Sequence, residues 1–168
     1  PGRLGAWAVL GNHDYGPGWY NTELADELTA GLERLGVRVL RNDLALVDGL
    51  QLVGLDDYWS PRFAPELVVP RVDWDGPVLT LCHNPDGADT RAMRAWRGWM
   101  LAGHTHGGQV KLPYVDPFIV PTVNKRYTLG EIDLGGGRRM YINRGLGYGV
   151  RLRFGVRPEI TLFHLRRA

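Results

Sequence analysis

The sequence predicts an α/β domain built around packed sheets. Short apolar runs closed by glycine or polar turns alternate with helical spacing in the first part of the chain, and hairpin-like pairs follow. Size and composition agree. With 168 residues, 44% of them apolar and 23% charged, residues 1–168 read as one globular domain with no internal repeat or linker.

The elements follow in order. Trp7 to Leu10 is a short apolar run ended by Gly11, a buried strand. Between Asn21 and Leu35, apolar residues at Leu24, Ala25, Leu28, Leu32 and Leu35 have helical spacing. Asn21 or Thr22 can cap the start and Gly36 the end. Val37–Leu40, Ala45–Val47 and Leu50–Leu55 are short strands, the last two joined by an Asp48-Gly49 turn. Proline-broken loop runs from Asp56 to Trp74. Pro77 to Cys82 is a further strand, Ala88 to Arg97 a helix, and Trp99 to Ala102 a third buried strand. After a loop holding Pro113, Pro117 and Pro121, Leu129–Leu134 and Arg138–Asn143 form a hairpin, and Glu159–Leu165 a closing strand.

Several function classes drop out. A single cysteine, Cys82, permits no internal disulfide and no zinc finger that needs two. The near balance of 20 Lys and Arg against 18 Asp and Glu gives no electrostatic case for nucleic acid. No apolar run approaches the roughly 18 residues of a membrane span. The chain opens at Pro1 and enters an apolar run by Gly5, leaving no room for a signal peptide. It reads as opening in mid-domain.

Four of the five histidines follow the apolar strands directly. Trp7–Leu10 runs into Gly11-Asn12-His13-Asp14, Val78–Cys82 into His83-Asn84-Pro85-Asp86, and Trp99–Ala102 into Gly103-His104-Thr105-His106-Gly107-Gly108-Gln109. Ligands of α/β folds bind beyond the carboxyl ends of strands, so three strand ends deliver imidazoles to one edge. Neutral imidazole with carboxamide or carboxylate oxygen suits a divalent metal. Singly, Asn12-His13-Asp14 reads as turn chemistry and His83 as a satisfied strand-end histidine, while His104-x-His106 between glycines is less easily dismissed; in this combination they read as a metal site.

These three motifs resemble those of the calcineurin-like metallophosphoesterases, in particular the bacterial membrane-associated branch that includes UDP-2,3-diacylglucosamine hydrolases. Leu55-Asp56-Asp57, Tyr141 to Gly147 and Arg157-Pro158-Glu159-Ile160 also fit that branch. The resemblance implies a four-layer αββα sandwich and a phosphohydrolase with two divalent ions (Mn, Fe, Zn, Ni or Co). It would cleave phosphodiester or pyrophosphate bonds, with a lipid-linked nucleotide as one possible substrate class. By the same resemblance Asn12, His83 and His104 bind one ion and His106 the other. His13 acts on the phosphoryl group or leaving oxygen, and Asp14 orients its ring. A cytoplasmic or membrane-associated bacterial setting is implied.

One departure stands out. The family opens with Asp-x-His and Gly-Asp motifs that supply further ligands, and neither precedes Gly11. Loss of an N-terminal part carrying them is one reading, which leaves the 168-residue chain inactive by itself and one face of its core open. Substitution by Asp56 or Asp57 is another. An inactive scaffold that binds a protein partner is the alternative from a different functional class.

Other features carry less. Cys82 reads as a small buried hydrophobe rather than a ligand. Residues 138–168 hold eight arginines against one acid, Glu159, which is either a solvated face or a contact for phosphate-rich substrate or anionic membrane. Arg144 is its substrate-binding candidate. Trp59, Trp74, Trp96 and Trp99 read as packing residues, and Gly145-x-Gly147-x-Gly149 lacks the strand-then-helix context of a phosphate loop.

Overall fold

In a computed structural model, residues 2–114, 117 and 120–166 are described. Pro1 and the last two residues of the arginine-rich run lie outside them. The fold is mixed α/β with two sheets. Strands β1 (Ala6–Ala8) and β2 (Val37–Val39) form a parallel pair, connected by helix α1 (Thr22–Arg34). The α1 sequence dictates its own ends: the Asn21 side chain accepts the Leu24 N–H at 3.0 Å, and Gly36 follows at φ +81°. Its apolar stripe, Ala25, Leu28 and Leu32, packs with Val39, Leu10 and Tyr15.

The larger sheet has six strands. They are β3 (Asp43–Val47), β4 (Leu50–Gly54), β5 (Val78–Leu81), β6 (Gly98–Ala102), β7 (Gly130–Gly135) and β8 (Arg138–Ile142), in the spatial order β3-β4-β5-β6-β8-β7. The inner four are mutually parallel, and an antiparallel hairpin closes each edge. In the first hairpin Asp48 and Gly49 both take positive φ, the type I′ geometry that matches strand twist.

Register decides the core. Val53, Thr80, Met100 and Met140 stand side by side across β4, β5, β6 and β8 and are almost completely buried. Val68, Val69, Met93 and Trp96 from short helical turns cover that face. The opposite row, Leu79, Leu81, Trp99 and Leu101, is only half-buried. There the two sheets meet at Gly54, where an added Cβ would lie 2.2 Å from Leu40 Cβ and 3.0 Å from Val9 Cγ1. Gly54→Ala is therefore expected to force strand from strand and cost about 1–3 kcal/mol or more, read as a lowered urea midpoint.

Two expectations need correcting. Ala88 to Arg97 is not an α-helix but parts of two 3-10 turns, Pro85–Asp89 and Arg91–Ala95, because Thr90 between them takes extended backbone (ψ 154°). Glu159 to Leu165 forms no ladder among the described residues, so the closing strand is absent there. The two sheets are consistent with the expected α/β sandwich, with outer layers of unequal make-up. One α-helix backs the two-stranded sheet, and 3-10 turns rather than α-helices back the six-stranded one. No helix among the described residues is long and apolar enough to cross a membrane.

Candidate functional site

Parallel pairing of β4, β5, β6 and β8 carries Asp56, His83, His104 and Arg144 to the same end of the large sheet. The chain beyond β1 brings Asn12 and His13 to that end from the smaller sheet. Close approach is allowed because residue 11 is glycine: a Cβ there would lie 2.8 Å from His83 Nε2.

Three donors meet in a near-equilateral triangle. His83 Nε2 lies 3.2 Å from Asn12 Oδ1, His104 Nδ1 lies 3.3 Å from Asn12 Oδ1, and the two ring nitrogens are 3.3 Å apart. Asn12 and His104 are buried, and burial pushes the His83 imidazolium down to about 3, aided by the neighbouring His104, His106 and His13. Burial also lowers His104 below the usual histidine range. Both rings are neutral at physiological pH.

Their partners determine which nitrogen is bare. Pro121 O can only accept, so His104 Nε2 at 2.9 Å carries the hydrogen and Nδ1 keeps its lone pair. Two lone-pair atoms, His104 Nδ1 and Asn12 Oδ1, thus face each other where a cation would satisfy both. Neighbouring donors on one divalent ion with bonds of about 2.0–2.2 Å are separated by about 2.8–3.1 Å at right angles and about 3.3–3.6 Å at tetrahedral angles, a span that includes the sides of the triangle. Among the described residues no group of three His, Cys, Asp or Glu side chains could hold a metal; the third donor here is a carboxamide.

His106 is fixed in the same manner. Gln109 Oε1 accepts the Gly149 N–H at 2.7 Å, while Gln109 Nε2 donates to Val150 O and Leu152 O, which settles the amide's orientation. His106 Nδ1, 2.8 Å from Oε1, must then donate, and its lone pair sits on Nε2. His104 and His106 both occupy the left-handed region, at φ +69° and +51°, where non-glycine residues concentrate at functional sites. Together with His13, His106 opens onto a cavity of about 500 Å³ walled by Gln109, Val110, Val150 and Leu152.

The remaining candidates sit nearby in different roles. His13 is exposed, its ring edge-on to Trp19 at 6.5 Å. Asp14 makes no hydrogen bond to that ring among the described residues; its carboxylate accepts the Gly11 N–H at 2.7 Å and closes the turn. Arg144 Nε pairs with Glu159 Oε2 at 2.6 Å. Against the effect of burial, hydrogen bonds from Thr161, Tyr141 and Arg144 hold the Glu159 carboxyl down at about 2. Cys82 is fully buried and its thiol donates to Asn84 O at 3.1 Å, in line with its reading as a small hydrophobe.

Aromatic and acidic side chains surround the triangle. Trp59 stacks on Trp19 at 4.5 Å and meets the His104 ring at 4.4 Å, packing that braces the triangle. Asp56 is committed to Tyr15 and Arg41, not aimed at the triangle. Asp57 is fully buried, with Oδ1 accepting the Trp59 N–H and Oδ2 unpartnered. Burial raises its carboxyl to about 7, and the charges of Asp56 and Asp14 add to this against the Trp59 and Asn12 N–H groups.

A pH prediction follows. The Asp57 value rises from 3.8 to about 7 on folding, so its contribution is fully present below about pH 3.8 and is lost as pH climbs through 7. The His83 value falls from 6.5 to about 3, so its contribution is present above pH 6.5 and is lost as pH drops. Between about pH 4 and 6.5 the slopes oppose, each up to about 1.4 kcal/mol per pH unit. In EDTA the wild-type urea midpoint is expected to change little across that window. In Asp57→Asn it falls steadily with acidification; identical profiles would contradict the assignment.

At the strand ends of this α/β fold, two neutral imidazoles and one carboxamide oxygen converge within 3.3 Å of one another. The chain is 35% identical over 163 residues to the phosphodiesterase YaeI of Escherichia coli (strain K12), covering 95% of this chain and 57% of that protein. It is 35% identical over 178 residues to the metallophosphoesterase YkuE of Bacillus subtilis (strain 168), covering 97% and 57%. Over 211 residues it is 29% identical to the UDP-2,3-diacylglucosamine pyrophosphatase LpxG of Chlamydia trachomatis, covering 95% and 63%. The chain spans a little over half the length of these relatives. No protein-family model and no solved structure matches it. The likeness to these metallophosphoesterases, over most of this chain, supports the calcineurin-like superfamily, a family that implies divalent metal ions.

Proposed function

We propose that this chain carries part of a dinuclear metal centre of a phosphohydrolase that cleaves phosphodiester or pyrophosphate bonds. The observation that supports this most is the triangle of Asn12 Oδ1, His83 Nε2 and His104 Nδ1, with two lone pairs turned on each other. Asn12, His83 and His104 would hold one ion, and His106, through Nε2, would contribute to the second. Divalent ions held there would supply positive charge to a phosphoryl oxygen and activate water for attack at neutral pH. His13, exposed beside the cavity, donates a hydrogen bond or proton to the leaving oxygen. Asp14 holds the turn under His13 through the Gly11 N–H. Arg144, braced by Glu159, lies at the same sheet edge and contributes positive charge toward a phosphate-bearing substrate. The apolar walls of the cavity beside His13 and His106 suit the hydrocarbon part of a lipid-linked nucleotide, the substrate class named for LpxG.

The test is Mn²⁺-dependent cleavage of bis(p-nitrophenyl) phosphate by the 168-residue chain and by any longer product of the same gene. Turnover by a longer product, with little or none by the chain, is the expected result. Absence of hydrolysis with Mn²⁺, Fe²⁺, Co²⁺, Ni²⁺ and Zn²⁺ in all of them favours the inactive scaffold instead.

A further inference from the structure

The turn Asn12–Tyr15 is a single 3-10 turn of four residues, closed by the Asp14 carboxylate on the Gly11 N–H but too short to fix its own orientation against the sheets. In 3-10 geometry residues three apart eclipse, so Asn12 and Tyr15 share a face. Both are buried, while His13 between them is exposed. Whatever fixes the Tyr15 side chain therefore also sets the rotation of the turn, and with it the direction of the Asn12 carboxamide and the His13 ring.

Tyr15 is held by a charged network drawn from two other parts of the fold. Its hydroxyl donates to Asp56 Oδ1. Arg41, beyond β2, donates through Nε to Asp56 Oδ2 at 3.0 Å and through Nη2 to the Tyr15 oxygen at 2.8 Å. Its Nη1 reaches Asp26 of α1 at 2.5 Å, and its guanidinium lies over the Tyr15 ring at 5.7 Å. Asp56 in turn has its backbone N–H bound by Asn42 Oδ1 at 3.2 Å, and its Oδ1 accepts the Asp57 N–H at 3.0 Å. Both carboxylate oxygens of Asp56 are thus used, and its relative exposure is 1%.

We propose that Tyr15, Asp56 and Arg41 are positioning residues, a clamp that aims Asn12 at the metal triangle and His13 at the cavity. The inference rests on the reading of Asn12, His83 and His104 as metal donors, and its test separates the two. Tyr15→Phe keeps the ring and removes only the hydroxyl. Mn²⁺ affinity is measured on the 168-residue chain by titration calorimetry, for wild type, Tyr15→Phe and Ile132→Ala. Ile132 packs against the large core from β7, and its truncation serves as a control that lowers stability away from the clamp. The expected result is about tenfold weaker Mn²⁺ binding in Tyr15→Phe, the size of loss typical of groups that orient metal ligands, with wild-type affinity in Ile132→Ala. Equal affinity in wild type and Tyr15→Phe overturns the clamp, and so does an equal loss in both variants.

Amide hydrogen exchange gives a readout without metal. Tyr15→Phe is expected to speed exchange of the Asp14 and Gly16 amides at least tenfold, with β5 and β6 unchanged; unchanged exchange at Asp14 and Gly16 overturns the clamp. If wild type binds no Mn²⁺, the metal reading fails and the exchange result alone decides the clamp.

Discussion

His13→Ala is expected to lower phosphodiesterase turnover of the active protein by about 10²–10⁴-fold, the usual worth of a positioned acid or base, while metal content is unchanged. The reason is its separation from the triangle. Asn12, one residue earlier, turns inward to His83 and His104, whereas the His13 ring is exposed, stands against Trp19 and borders the cavity with His106. Removing it takes nothing from the three donors. Metal analysis and steady-state kinetics on the same preparation check both halves. Full turnover in the variant rejects the role of His13, and loss of metal would mean that the turn, not the ring, was damaged.

His104→Ala is expected to reduce Mn²⁺ affinity by about a hundredfold or more, since on the proposed reading it deletes a donor rather than a group that orients one. It also deletes the Nε2–H bond to Pro121 O and the ring packed against Trp59. A second variant distinguishes binding from folding. Residue 104 sits at φ +69°, which alanine tolerates poorly and glycine readily. His104→Gly should bind Mn²⁺ as weakly as His104→Ala yet unfold at higher urea, by about 1 kcal/mol. If glycine restores affinity, the alanine effect was strain and His104 is not a donor. Calorimetric titration and urea denaturation of the two chains decide it.

Much of the frame was legible along the chain. Asn21, the Leu24–Leu32 stripe and Gly36 specify α1 locally, because a helix makes its hydrogen bonds within itself. The strands before His83 and His104 were found for a similar reason: apolar runs of four or five residues between turn residues have few other uses. Where partners lie far away, the sequence misled. Asp89 is pulled toward Tyr127 and Asn124 across the fold, and Thr90 breaks into extended backbone, so the apolar spacing of 88–97 does not make an α-helix. Glu159–Leu165 alternates like a strand, yet a strand exists only with a neighbour to pair with.

The candidate site divides along the same line. The sequence by itself determined which residue types stand at the strand ends: Asn12, His13, His83, His104 and His106, each set down by a glycine or polar turn after an apolar run. It could not determine what each of them does there. Only the tertiary structure decided that His104 presents Nδ1 and His106 Nε2, because the groups that bind the other ring nitrogen, Pro121 O and Gln109 Oε1, are set by loops 121 and 149–152. It also gave Asp56 to Tyr15 and Arg41 and left Asp57 buried beside them. A histidine's identity is covalent and local. Its tautomer, its burial and its aim are set by whatever the rest of the chain brings within hydrogen-bond distance.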